Sequence, residues 1–188
     1  MLRVPESRRG LNSGAIGDTG KVISSIFPLR ESELFSKLPS DQLTGIAVIC
    51  TDTVVVEGTL LFSQGRRANR LYIVADGLIA LQMATRVPHA TESRRTTVAI
   101  CGRGEVVGWS AMVDPFRYAV TAMAWEQCRL IAIDAHLLRR ALNANHAAGF
   151  CVMQSLSEVM SRRVRQITMA LVSERETTAA QRRTTMGQ

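Results

Sequence analysis

Between residues 52 and 134 apolar and polar positions exchange in short steps. The segments "TVVVEG", "TLLFSQG", "RLYIVADG", "LIALQMAT", "TTVAICG", "YAVTAMAW" and "CRLIAID" are β-branched or alternating runs of strand length, punctuated by Gly58, Gly65, Gly77, Gly102 and Gly104. Seven or eight short strands with turns at this interval predict a sandwich or jelly-roll barrel. No strand alternates with a helical pattern, so a parallel sheet is not expected.

On both sides of this zone the period changes. Ser40 is a good N-cap for "DQLTGIAVI", and Pro39 discourages an earlier start, so a short helix is expected there. From Asn143 to Arg175 there is no proline, and Gly149 is the one interior glycine. Within that span Phe150, Met153, Met160, Val164, Ile167 and Leu171 fall on alternating steps of three and four, with Ser157 filling the one polar step. Such a stripe predicts a coiled-coil seam shared with a second copy of the chain. A helix folded back on its own barrel is the competing reading. Arg162, Arg163 and Arg165 flank the stripe.

The expected organisation is therefore a flexible N-terminal arm over 1–28, a β domain over 29–142, a long helix over 143–175 and a flexible tail over 176–188. The fold class is α+β, mainly β: a double-stranded β-helix (jelly-roll) barrel with a short N-terminal helix and a long C-terminal dimerisation helix.

Composition adds limits. A chain of 188 residues is one domain by length. The net charge is +7, and only Lys21 and Lys37 among the basic residues are lysines. Scattered arginines of this kind form no massed nucleic-acid face. Cys50, Cys101, Cys128 and Cys151 lie far apart, with no C-x-x-C and no ligand spacing, so reduced core thiols are expected and no metal. No run of 18 apolar residues exists and the start lacks the apolar segment of a signal peptide. A soluble cytoplasmic protein is expected, with no membrane association.

The segment "GEVVGWSAMVDPFRYA" carries the candidate chemistry. A nucleophile elbow needs G-x-S-x-G, and here Met112 stands where the last glycine belongs. His89, His136 and His146 have no evident acid to orient them, and Glu105 with Asp114 has no glycosidase context. An enzyme is not expected. A short helix starting near Gly108 would instead aim free N–H groups at an anion. Gly108 and Ala111 leave room for a ligand, and Arg117 can add a charge-assisted contact.

In this order of elements the chain, from about Leu34 to Val172, resembles the cyclic nucleotide-binding domain of catabolite-activator-like (Crp/Fnr) regulators and of kinase regulatory subunits. "LFSKLPSDQL" resembles that family's opening helix, and "LLFSQG" with "RLYIVADG" its second and third strands. "GEVVG" is similar to the approach to its phosphate-binding cassette, "RYA" to the cassette's Arg-Ser/Thr-Ala, and "MSRRV" to part of its long dimer helix. The resemblance implies a ligand-binding cassette of Gly108, Trp109, Ser110, Ala111, Arg117, Tyr118 and Ala119. It implies a purine contact on the long helix, where Ile167 and Thr168 stand, so that Thr168 keeps one hydroxyl. Cyclic AMP or cyclic GMP is the implied ligand, with no other cofactor.

The cassette departs from the family pattern. Trp109 stands where the family's ribose-binding glutamate belongs, and Tyr118 replaces a small hydroxyl residue. A hydrogen bond to a charged group contributes roughly 1.5–3 kcal/mol, about 10- to 100-fold in affinity. Arg117, if buried, needs either an anion or a carboxylate such as Asp114 or Glu105. Catabolite-activator-like regulators continue into a helix-turn-helix, whereas this sequence ends about 15 residues after its helix, so sequence-specific DNA binding is not expected. Two readings stand side by side. One is a homodimeric ligand sensor that signals to a protein partner not identified by the sequence. The other is an interaction module with no ligand or a different one, in which Trp109 and Tyr118 are core.

Overall fold

The computed structural model describes residues 21–22, 26–85 and 94–186. In these residues the elements run β1 (Lys21–Val22), α1 (Phe27–Glu31), α2 (Ser40–Ala47), β2 (Cys50–Val55), β3 (Leu60–Phe62), β4 (Arg70–Asp76) and β5 (Ile79–Thr85). They continue with β6 (Arg94–Cys101), β7 (Val106–Val107), a single 3-10 turn (Trp109–Met112), β8 (Thr121–Ala124), β9 (Cys128–Asp134), α3 (Ala135–Ala144) and α4 (His146–Met186).

The strands form a β-sandwich. One sheet runs β1-β2-β9-β4-β7 and the other β3-β8-β5-β6, and every pairing is antiparallel. β4 and β9 lie inside the first sheet, and both carry unbroken buried runs: Leu71 to Val74 and Leu130 to Ile133. A strand buried on both faces loses the apolar–polar alternation of a solvated one. Helices supply the second cover, α1 on β4 and α3 on β9. At about 25 cal/mol for each Å2 of apolar surface removed from water, these runs are the main source of cohesion.

Each sequence-expected strand run contains a strand, though "YAVTAMAW" is extended only over Thr121–Ala124. β1 pairs Lys21 with Asp52, inside the segment expected to be a flexible arm. Residues 1–20 of that arm lie outside the described residues. Ser40 is not the cap of α2. Pro39 takes the cap position, and its carbonyl accepts from Leu43 N at 3.1 Å. The Ser40 hydroxyl instead accepts from Arg30.

The C-terminal region is two helices rather than one. Asp134 caps α3 by accepting from Leu137 N at 2.9 Å, and Asn145 starts α4 by accepting from Ala148 N at 3.1 Å. The chain crosses closely here. A Cβ on Gly149 would come within 2.8 Å of the Leu142 carbonyl oxygen, which explains the one interior glycine of the helix. α4 then continues to Met186, so most of the expected flexible tail is helical.

α4 packs against β6 through a stripe of its own. Ala148, Val152, Ser155, Leu156, Val159 and Arg163 are the buried positions. The sequence-predicted seam is the adjoining stripe. Phe150 is 75% exposed and Val164 60%, and Met153 is also exposed. Met160 and Ile167 pack against the barrel core, and Leu171 is half-buried. One face of the helix lies on the barrel, and the next is open.

Candidate functional site

β7 delivers the chain to Gly108, which turns left-handed at φ 83° and precedes the 3-10 turn. Glycine is required twice over. The turn needs positive φ, and a Cβ would meet the Arg70 carbonyl at 3.1 Å and the rings of Phe62 and Tyr118 at 3.2 Å. Ala111 N closes the turn onto the Gly108 carbonyl at 3.0 Å.

The rest of the expected cassette divides. Tyr118 is core: its ring stacks on Phe62 with centroids 3.7 Å apart. Its hydroxyl donates to the Arg70 carbonyl at 2.8 Å and accepts from Arg70 N at 3.3 Å. Burial pushes this phenol up to about 12. Ser110 is buried, and its hydroxyl accepts from Ala119 N at 3.4 Å, which ties the two ends of the segment together.

Arg117 lies at the surface of the segment. Its backbone bridges to Arg67, and its side chain lies exposed, with Nη1 donating to the Gly65 carbonyl at 2.9 Å. It is neither buried nor paired with Asp114 or Glu105. Thr168 is also exposed, and its neighbour Ile167 faces the cassette instead.

The cavity at the cassette is lined by Phe62, Gly108, Trp109, Ser110, Ile167 and Arg163, among others. It holds about 30 Å3, near the volume of one water and far below the roughly 300–1,000 Å3 typical of ligand pockets. Trp109 is half-buried against the core at its edge.

Arg163, which the sequence places only beside the seam, is buried against the cavity. Only 2% of it is exposed. Nη1 donates to Gln166 Oε1 at 2.8 Å, Nη2 lies 3.5 Å from Glu105 Oε1, and buried Nε has no hydrogen-bond partner. The signal was present in the spacing: Val152, Leu156, Val159 and Arg163 step by four, three and four along one helix face.

Two carboxylates tie this part of α4 to the barrel. Glu33 accepts from Val106 N at 2.9 Å and from Arg162. Glu105 accepts from Gly102 N at 2.8 Å and faces Arg163. Burial raises the Glu33 carboxyl above its ordinary range, against the lowering pull of the Val106 amide and Arg162. Burial also pushes the nearby Cys101 thiol up to about 12, so it stays protonated.

Among the described residues no catalytic grouping assembles around Ser110. Neither His136 nor His146 lines the cavity at Ser110, and His89 lies outside the described residues. Among the described residues no three potential metal-ligating side chains gather, and no helix is long and apolar enough to cross a membrane. A second cleft of about 420 Å3 is lined by Arg67, Arg70, His136 and Arg139, with Arg139 stacked 4.4 Å over Phe116.

Residues 53–145, which hold β3 to β9 and the whole cassette, match the family described as cyclic nucleotide-binding domain. These residues belong to that family. The chain is 27% identical over 128 residues to the anaerobic regulatory protein of Bacillus subtilis (strain 168), covering 68% of this chain and 50% of that protein. It therefore spans half the length of that curated relative. Two solved structures share the fold. The sensor domain of the transcriptional regulator DNR from Pseudomonas aeruginosa aligns with TM-score 0.60 at 20% identity, over 73% of this chain and 89% of that one. The regulatory domain of Toxoplasma gondii PKA, crystallised with cAMP, aligns with TM-score 0.53 at 24% identity, over 66% and 44%. The cyclic nucleotide-binding domain here thus has the family's antiparallel sandwich and C-terminal helices.

Proposed function

We propose that the chain is a non-enzymatic sensor domain that binds cyclic AMP or cyclic GMP at Gly108–Ala119 and passes the signal on through α4. The carrying observation is that the family match spans the whole cassette, with Gly108 in the left-handed turn that opens it. In this reading the two-sheet sandwich is a jelly roll. The open face of α4, with Phe150, Met153 and Val164, is the homodimer seam. A switch of this kind requires the ligand to bind two poses of α4 with different affinity.

A second reading has its own support. The cassette cavity holds about 30 Å3, and Tyr118 and Trp109 pack as core residues. A domain so filled would act as a dimerising interaction module with no ligand or another one. Calorimetry with cyclic AMP and cyclic GMP separates the two. Saturable heat with either nucleotide supports the sensor. No heat at millimolar nucleotide leaves the interaction module.

A further inference from the structure

We infer that Arg163 of α4, and not Arg117, is the anchor for an anionic group in the cassette cavity; this rests on the sensor reading for the nucleotide, but not for the anion. Arg163 lines the cavity, is 2% exposed and keeps an unpartnered Nε. A buried guanidinium is costly unless its charge and its donors are both met. Glu105 meets them poorly. It lies 3.5 Å away, and its other oxygen is committed to Gly102 N at 2.8 Å. Arg117, by contrast, is exposed and already donates to Gly65.

The chemistry fixes the ligand class. The space beside Arg163, about 30 Å3, is near the volume of one water, so it admits no ring system and takes a compact head only as the lining gives way. An oxyanion head of the phosphate type accepts two parallel N–H bonds from a guanidinium, which a neutral group cannot match. The ring phosphate of a cyclic nucleotide and a free inorganic oxyanion share that chemistry. For either ligand Trp109 or Ile167 must move aside, further for the nucleotide than for the free ion.

The site also carries a consequence for α4. Arg163–Glu105 and Arg162–Glu33 are two neighbouring ties between this helix and the barrel. An anion that takes Arg163 competes directly with Glu105 and loosens the first of them.

The test is calorimetric titration of the full chain with cyclic AMP, cyclic GMP and sodium sulfate at constant ionic strength, on the wild type and on Arg163→Met, Glu105→Gln, Arg117→Ala and Arg139→Ala. The expected result is saturable binding of at least one probe, weakened roughly tenfold or more by Arg163→Met. Glu105→Gln removes the competing charge and tightens binding, and Arg117→Ala leaves it as in the wild type. Sulfate binding of this pattern without nucleotide binding keeps the Arg163 site and removes the cyclic nucleotide reading. Nucleotide binding insensitive to Arg163→Met keeps that reading and overturns the Arg163 site. The site is likewise overturned if no probe binds, or if Arg117→Ala or Arg139→Ala abolishes binding that Arg163→Met retains. Should circular dichroism show Arg163→Met unfolded, Glu105→Gln decides alone: tighter binding supports the site, and unchanged or weaker binding overturns it.

Discussion

Phe62 and Tyr118 lie face to face, with ring centroids 3.7 Å apart and planes 9° apart. One belongs to β3 and the other to the loop before β8, so the stack clamps the cassette loop onto the barrel. Tyr118→Ala removes the ring and its hydroxyl together, and is expected to destabilise the domain by about 3–5 kcal/mol. Tyr118→Phe keeps the stack but strips both bonds to the Arg70 backbone, for a cost of about 1–2 kcal/mol. Urea unfolding of the two variants checks this. Equal costs would mean that the hydroxyl, not the stack, holds the loop.

Gly108→Ala is expected to damage the same region by another route. A left-handed backbone costs a non-glycine residue about 1–2 kcal/mol. The new Cβ would also press on Arg70, Phe62 and Tyr118 at 3.1–3.2 Å. Thermal unfolding reads the combined loss. A variant as stable as the wild type would show that the turn relaxes out of positive φ.

These two positions show what the sequence made legible. Runs such as "RLYIVADG" and "CRLIAID" declared β4 and β9 because β-branched residues fill a pleated, buried surface. Val106–Val107 was too short to stand out as a strand, since its pairing to Tyr72 and Ile73 is a tertiary matter. α3 was missed although Asp134 is a good cap and Leu138 and Leu142 recur at four. Family resemblance points to Gly108–Ala119 as the cassette and to Arg117 as its charge, and in the structure Arg117 is exposed while Arg163 is buried beside that segment. Arg117 is exposed, and its backbone bridges to Arg67, a pairing between loops far apart in sequence. Arg163 sits on a barrel-facing stripe that becomes recognisable once Val152, Leu156 and Val159 are known to be buried.

The buried thiols predict a loss of stability in alkali. Burial pushes Cys50 and Cys101 up to about 12 from an ordinary 9.0. Below about pH 9 both folded and unfolded chains hold these protons, and the contribution is full. Above it the unfolded chain releases protons that the folded chain keeps, so stability falls as pH climbs towards 12. Tyr118, pushed up to about 12 from 10.0, joins from about pH 10. Denaturant unfolding at about pH 8 and about pH 10.5 measures the slope. Cys50→Ala is expected to flatten it, and an unchanged slope would remove Cys50 as a source.

The open face of α4 predicts the oligomeric state. Phe150 is 75% exposed and Val164 60%, on a stripe one step round from the barrel-facing residues. An exposed apolar stripe at seam spacing is the surface a second copy would bury. Met160 is a poor probe of it, because it also packs on the barrel core. Phe150→Glu and Val164→Glu change side chains that are mostly exposed. Paired across a twofold seam, each places two like charges in apolar surroundings, which costs several kcal/mol. Sedimentation is expected to give a dimer for the wild type and a monomer for the double variant, with unchanged circular dichroism. A wild-type monomer, or a double variant that stays dimeric, would show that this face is not the seam.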